Sequence, residues 1–349
     1  MLTHWNERGL ASLLADHGLG DSGDSGETDF PNDGWSGATL TQIHRGSERF
    51  ILKRTSWAVD WIARATRDRA LREGFVATGQ LPLPRTVVAP YLGAATDGTA
   101  VAMLMPDLSR DLLVWERPDG AATVDAVTLD HVLEAVAALH ATPLSDELVA
   151  AWPWCPLRER VLLLSPGSAG RFETDGVAAG TRFREGWEAF GERAPSAAND
   201  LVTRLDDDPT PLLAALAALP AALLHGDLKV ANVAPLPDGR TAFIDWQMVM
   251  VAPAALDLGW LLVANSSAFA ATPDDVLGRY VAIAAASSPA ILDTWDVTRD
   301  LALIVGLLLR GWRKGLDAAA GACLASGVAA VDDLAWWGAS AVEAADRRL

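Results

Sequence analysis

The sequence predicts an α+β protein in two lobes that share a cleft, and three observations predict it. Strand-like runs crowd residues 38–105, and helical periodicity dominates from residue 128 onward. A length of 349 residues suits two sub-domains and a sizeable core. The run His225-Gly226-Asp227-Leu228-Lys229-Val230-Ala231-Asn232, followed by Ile244-Asp245-Trp246, sets acids and an amide at a spacing that suits phosphoryl transfer in such a cleft.

Along the chain, residues 5–16 have helical periodicity through Trp5, Leu10, Leu13 and Leu14. Gly18 to Gly26 is rich in Gly, Asp and Ser, with acids at Asp21, Asp24, Glu27 and Asp29 in and just after it. Such a stretch buries too little apolar surface to order itself, so a flexible acidic loop is expected over 18–33. Residues 38–43 and 49–53 read as two strands joined by a Gly-containing turn at His44-Arg45-Gly46-Ser47-Glu48. Before them, the small residues of Gly34-Trp35-Ser36-Gly37-Ala38 let backbone N–H groups approach an anion closely. Lys53 ends the second strand, either as a solvated lysine or as a functional one. Residues 57–78 read as one helix, with Glu73 on a charged face beside Arg67, Asp68, Arg69 and Arg72. Its small Ala70, Gly74 and Ala77 would let it approach the sheet.

Further strands are expected at 85–89 and 100–105, the second running into a turn at Pro106-Asp107-Leu108-Ser109 with proline at its first corner. Helices are then expected at 129–142, 157–164, 183–205 and 211–219. After the motif strands, more follow at 255–264, 273–286, 297–316 and 331–349. Asp206-Asp207-Asp208, followed at once by Pro209 and Pro211, reads as a solvated turn.

Phosphoryl transfer needs a carboxylate to orient and deprotonate the accepting hydroxyl, and oxygen ligands to hold Mg²⁺ against the phosphates. Asp227 suits the first task; Asn232 and Asp245 suit the second, the amide coordinating without adding negative charge. Asp245 lies eighteen residues after Asp227 (245 − 227), at the end of the strand-like run 241–244. Pro235, Pro237, Asp238, Gly239 and Arg240 between them form a hairpin-type turn, which brings the acids to neighbouring strand ends. The bland reading, an Asx-turn before a hairpin with a solvated aspartate, leaves the spacing and the strand as coincidences.

The segment 221–262 resembles the His-Gly-Asp-x-x-x-x-Asn, Ile-Asp-Trp and Asp-Leu pattern of the aminoglycoside phosphotransferase and choline kinase-like families, its last element here being Asp257-Leu258-Gly259-Trp260. Those families share the protein-kinase fold. The resemblance implies a nucleotide-binding lobe over 1–105, a hinge at 106–109 and a helical lobe over 110–349, with a catalytic loop at 225–232 and a metal strand at 241–246. It implies ATP and Mg²⁺ as cofactors, Asp227 as base, and Asn232 and Asp245 as metal ligands. Lys53 would contact the α and β phosphates and pair with Glu73. Gly37 would sit in the loop over the phosphates, although a full G-x-G-x-x-G is absent. The connector would meet the adenine edge with the carbonyl of Pro106, which has no N–H, and the N–H of Leu108. Asp257 would brace the catalytic loop, or serve only as a helix N-terminal acid. Lys229 stands where the antibiotic kinases mostly carry His and there would neutralise the moving phosphoryl group; Ala231 replaces the usual Gly.

Composition narrows the function. The net charge of −17, from 28 basic and 45 acidic residues, argues against a nucleic-acid partner. Cys155 and Cys323 make neither a disulfide framework nor a metal cluster. No signal-peptide core opens the chain, and the apolar run 301–309 is too short to span a bilayer, so a cytoplasmic enzyme without a membrane partner is expected. Oligomeric state stays open. Only eleven residues separate Asp245 from Asp257, too few for a peptide-docking segment, Asp-Trp-Gln replaces Asp-Phe-Gly, and no Ala-Pro-Glu follows.

The expected activity is therefore transfer from ATP to a hydroxyl of a small molecule: an antibiotic, amino-sugar or related metabolite, with antibiotic resistance as the biological role the resemblance suggests. A catalytically silent nucleotide-binding scaffold is the alternative. The resemblance and the acidic net charge favour an amine-bearing acceptor. Arg310, Trp312, Arg313 and Lys314 favour a neutral or anionic ring compound, unless they form a solvated basic helix end. Trp152, Trp154 and Trp312 either stack on a ring substrate or pack in the core.

Overall fold

The computed structural model describes residues 5–19, 27–30, 36–117 and 119–349. A 3₁₀ turn at Trp5–Glu7 leads into α1 (Leu10–Asp16), and β1 (Glu27–Asp29), β2 (Thr39–Arg45) and β3 (Glu48–Thr55) follow. After two short helices, α2 (Trp61–Ala65) and α3 (Arg72–Ala77), come β4 (Val87–Val88), β5 (Gly93–Asp97) and β6 (Ala100–Pro106). Five of these strands form an antiparallel sheet in the order β1-β2-β3-β6-β5. Side chains alternate across it. Phe50, Leu52, Ala102 and Leu104 pack with Leu13 of α1 on one face, while Val101 and Met103 pack with Ala63, Leu71 and Ala77 on the other. The same alternation turns Ile51 and Lys53 away from α1.

The C-terminal part begins with α4 (Ala126–His140), α5 (Asp146–Ala151), α6 (Leu157–Val161), α7 (Pro166–Thr174), α8 (Gly180–Arg193), α9 (Ser196–Asp207) and α10 (Thr210–Ala217). The short strands β7 (Ala222–Leu224), β8 (Val233–Pro235), β9 (Thr241–Phe243) and β10 (Met250–Ala252) carry the motif. Then come α11 (Ala255–Ala264), α12 (Pro273–Ser287), α13 (Trp295–Ala319) and α14 (Ala330–Arg348). Helix α13 is the axis of this part and packs against α8, α11 and α14. Its run 301–309 is buried throughout by those neighbours. Among the described residues no helix is long and apolar enough to cross a membrane. The chain thus has the bilobal protein-kinase-like α+β fold: an antiparallel sheet with short helices, then a mainly helical part.

Several expectations change in detail. The stretch 57–78 is two helices, because Arg67 and Leu71 take left-handed φ of 55° each and the Asp68 carboxylate captures the Arg72 N–H. A side chain that satisfies a nearby backbone donor competes with helix continuation in this way. The expected helix 183–205 breaks at Ala194-Pro195 into α8 and α9, since proline disfavours helical geometry in the residue before it. The stretch 85–89 yields only β4, which joins β9 in parallel rather than the first sheet. β5 lacks the β-branched pattern that marks strands, yet pairs along its whole length with β6. Within the expected acidic loop, residues 27–29 form β1 against Thr41–Ile43 of β2, while residues 20–26 and 31–33 lie outside the described residues, as do Gly34 and Trp35. Asp206 and Asp207 end α9, and Asp206 accepts from the Gly167 N–H at 2.7 Å, so only Asp208 sits in the turn.

Leu13 is fully buried between α1 and the sheet. Leu13→Ala is expected to lower the unfolding free energy by about 2–5 kcal/mol, the usual cost of emptying a core leucine site. Urea denaturation checks it, and an unchanged midpoint would mean that α1 does not cover this face.

Candidate active site

The loop 225–232 leaves β7 under tight steric control. Gly226 has φ +82°, and a Cβ there would sit 1.9 Å from the Met248 carbonyl oxygen, so only glycine fits. The His225 ring is buried, and its Nε2–H donates to the Ile244 carbonyl at 2.9 Å. That fixes the neutral tautomer, leaving Nδ1 to accept the Asp227 N–H at 3.3 Å. Burial pushes the imidazole pKa down, which keeps it neutral. Asp257, on α11, accepts from the His225 N–H and the Gly226 N–H at 2.9 Å each, with His140 Nε2 at 3.4 Å. Burial would raise its pKa, but the hydrogen bonds from His140 and the Gly226 N–H outweigh that and lower it. Of the two readings of Asp257, the brace is the one the geometry has. Asn265 adds a second brace by accepting the Val230 N–H at 2.9 Å.

Within the loop, Asp227 Oδ1 accepts from Trp260 Nε1 at 2.9 Å, and its Oδ2 lies 3.2 Å from Asn232 Nδ2 and 3.2 Å from Lys229 Nζ. Asn232 Nδ2 also donates to the Asp227 carbonyl at 2.9 Å. The amide nitrogen is therefore committed to the loop, and the amide oxygen is left for another partner.

Across the cleft, Lys53 Nζ lies 2.7 and 2.9 Å from the Glu73 carboxylate oxygens and 2.7 Å from Asp245 Oδ1. The Tyr91 hydroxyl donates to Glu73 at 2.6 Å and accepts from the Asp245 N–H at 3.2 Å, closing the cluster. Burial alone would lower the Lys53 pKa, but Asp245 and Glu73 drive it above the ordinary range. Burial would likewise raise Asp245, but Lys53 and then Lys229 hold it down at about 2. Burial wins at Glu73, whose pKa is raised despite Lys53. Asp245 itself has φ 64°, ψ 55°, a left-handed conformation that Asp tolerates better than most residues. The following Gln247 holds the turn by donating to both Asp60 carboxylate oxygens at 2.9 and 3.0 Å.

Two cavities meet at this cluster. The first, about 170 Å³, is lined by Ile51, Lys53, Glu73, Pro106, Leu108 and Asn232 among others. The second, about 180 Å³, is lined by Asp227, Lys229, Trp260 and Arg310 among others. Ser36 and Asp245 border both. In the connector the Asp107 N–H bonds Arg49 O and the Ser109 N–H bonds Asp107 Oδ1. The Leu108 N–H between them has no partner among the described residues. Gly37, with φ +91°, turns against the Val59 carbonyl; its neighbours Ser36 and Ala38 line the first cavity rather than Gly37 itself.

Among the other expected residues, Arg310 and Trp312 line the second cavity. Arg313 does not; it pairs with Asp317 at 2.8 Å. Lys314 is buried against Asp333. Trp152 packs on Phe75 and Trp154 and lines neither cavity, so these two tryptophans are packing residues. Tyr91, Trp260 and Arg160 are site residues that the sequence did not single out. Trp260 was findable, since it sits three residues after Asp257 on the same helix and hence on the same face. Nothing in the local sequence marks Tyr91 or Arg160.

A family model described as the phosphotransferase enzyme family matches residues 29–301. The structure is similar to an ethanolamine kinase from Plasmodium vivax, with 12% identity, coverage of 95% of this chain and 84% of that one, and a TM-score of 0.50. It is also similar to a macrolide 2'-phosphotransferase, MphH, from Brachybacterium faecium, with 18% identity, coverage of 89% and 91%, and a TM-score of 0.46. A third likeness is to the aminoglycoside phosphotransferase APH(3'')-Id from Streptomyces rimosus, with 18% identity, coverage of 84% and 96%, and a TM-score of 0.46. No curated protein sequence matches the chain.

The depressed Asp245 pKa sets a pH dependence. Its stabilising contribution is fully present above the unfolded-state value of about 3.9 and is lost as the pH falls through about 2. In the nucleotide-free chain, Asp245→Asn is therefore expected to lower the unfolding free energy equally at pH 8 and pH 5. Urea titrations at the two pH values check this; a gap that shrinks on going to pH 5 would mean a carboxylate with a raised pKa.

Proposed function

The chain belongs to the phosphotransferase enzyme family, and from that premise we propose that it transfers the γ-phosphoryl group of ATP to a hydroxyl of a small molecule. The observation that carries this reading is the shared border. Lys53 and Asn232 line one cavity, Asp227 and Lys229 the other, and Asp245 lines both. A group handed from a nucleotide to an acceptor has to cross such a border.

In this reading the Pro106 carbonyl and the free Leu108 N–H take the adenine edge, and the apolar walls at Leu40, Ile51 and Met105 cover the ring. Lys53, held by Glu73, faces the phosphates. The Asn232 amide oxygen and the Asp245 carboxylate suit Mg²⁺, a hard cation that takes one or two protein oxygens and completes its shell with phosphate and water. When bound, Mg²⁺ supplies positive charge to the phosphate oxygens. Asp227 holds the acceptor hydroxyl and receives its proton as the new O–P bond forms. The bond from the γ phosphorus to the bridging oxygen breaks, and ADP leaves with that electron pair. Trp260 and Asn232 keep the Asp227 carboxylate in its rotamer, and Lys229 offsets charge on the phosphoryl group in transit. A silent scaffold would need one of these positions filled by an inert residue, and each carries its functional group.

Asp227→Asn is expected to keep nucleotide affinity while lowering kcat by about 10²–10⁴-fold, the usual worth of a general base. Asp245→Ala is expected to abolish Mg²⁺-dependent ATP binding in calorimetry, and Asn232→Ala to weaken it less, since a neutral ligand is lost. Unchanged Mg-ATP affinity in the Asp245 variant would remove that residue from the metal role. Near-wild-type turnover in the Asp227 variant would remove the base.

A further inference from the structure

The second cavity holds more positive charge than phosphoryl transfer uses. Arg310 on α13 is 8% exposed and has no hydrogen-bond or ion-pair partner among the described residues. Its guanidinium instead lies 4.9 Å from the ring centre of Trp115, 5.6 Å from that of Trp260 and 5.7 Å from that of Trp312. Arg160, 2% exposed, spends Nε on the Gly226 carbonyl at 2.6 Å, but its Nη1 is buried with no partner among the described residues. It lies 4.9 Å from the same Trp260 ring. The cationic neighbours of Arg310 on α13 differ, since Arg313 is paired with Asp317 and Lys314 with Asp333.

Buried arginines are as a rule matched by carboxylates. Indole faces ease the burial of a guanidinium but accept none of its in-plane hydrogen bonds. The two acids that line the cavity are engaged, Asp227 with Trp260 and Asn232, and Asp245 with Lys53. Burial, and then the nearby Arg313, bring Arg310 down to about 10, so it remains charged at neutral pH. A cationic acceptor would seek the indole faces, and Arg310 already covers them; a second cation there would be repelled. Apart from Ser36 and Lys229, the remaining wall is apolar, formed by Trp61, Ile62, Leu163, Leu164, Phe183 and Met248.

From this we infer that the acceptor is a hydroxy acid with a compact apolar body, its carboxylate bound by Arg310 with Arg160 beside it while its hydroxyl faces Asp227. The inference rests on the function proposed above and replaces the amine-bearing acceptor that family resemblance favours. The same anion-binding chemistry would suit oxygens of the transferred phosphoryl group, and the test separates the two sources.

Three probes share a phenyl ring and a benzylic hydroxyl: mandelate, mandelamide and 2-amino-1-phenylethanol, which carry a carboxylate, an amide and an ammonium. Each is titrated calorimetrically into the full nucleotide-free chain. Mandelate is expected to bind about 10–100-fold more tightly than mandelamide, the range for charge-assisted hydrogen bonds, and the amine not measurably. Arg310→Met, of similar length, is expected to erase the preference for mandelate, and Arg310→Lys to retain part of it. Circular dichroism establishes that each variant is folded, and the Lys variant carries the test if the Met variant is not. Equal binding of the three probes, binding of none, or a preference for the amine overturns the inference. So does inorganic phosphate binding with no preference among the probes, which assigns the arginines to the phosphoryl group. Mg-ADP is titrated in parallel. If it binds and the ranking fails, only the hydroxy-acid acceptor falls; if it does not bind, the kinase reading falls with it.

Discussion

The cleft depends on one buried ammonium. Lys53 projects from β3, Glu73 from α3 and Asp245 from the end of β9, and these three elements come from separate parts of the chain. Two carboxylates around one lysine leave the cluster one negative charge in excess, at the oxygens that border both cavities. Burying such a group is costly unless its partners are positioned in advance. Tyr91 does that by bridging Glu73 and the Asp245 backbone, and Gln247 does it by tying the turn after Asp245 to Asp60. The excess charge makes the place suited to a divalent cation and its phosphates.

The loop 225–232 is held by a different device. Asp257 takes two successive backbone donors, His225 locks its tautomer on Ile244, and Gly226 passes Met248 where no side chain fits. These contacts hold the loop backbone and the His225 ring, so the Asp227 carboxylate inherits its position from the loop and only its rotamer from Trp260 and Asn232. Preorganisation of this kind is what lets a general base work without reorganising at the moment of reaction.

Much of this was legible in the sequence, for identifiable reasons. The motif residues are close in sequence, and their spacing alone carried Asp227, Asn232 and Asp245 to one place. Lys53 and Glu73 were paired through the family resemblance, which sets a strand lysine against a helical glutamate, and the structure has that contact. What escaped was what depends on long-range packing or on single backbone angles. The helix over 57–78 broke at left-handed Arg67 and Leu71, residues with no intrinsic preference for that conformation. Pro195 was a visible breaker that apolar periodicity on both sides concealed. Tyr91 and Arg160 reach the site from loop and helix positions unmarked by any motif. Of the four residues Arg310, Trp312, Arg313 and Lys314 that looked basic or aromatic together, only Arg310 and Trp312 face the cavity, since helical geometry turns Arg313 and Lys314 toward Asp317 and Asp333.

The proposed reaction requires that a nucleotide in the first cavity present its terminal phosphate across Asp245 to Asp227 in the second. A crystal structure with a non-hydrolysable ATP analogue and Mn²⁺ in place of Mg²⁺ tests it most directly, because the anomalous signal locates the metal independently of the chain. Manganese is expected on Asn232 and Asp245, adenine against Pro106 and Leu108, and the γ-phosphate facing Asp227. Manganese bound away from both residues, or a nucleotide seated among Trp115, Trp260 and Arg310, would contradict it.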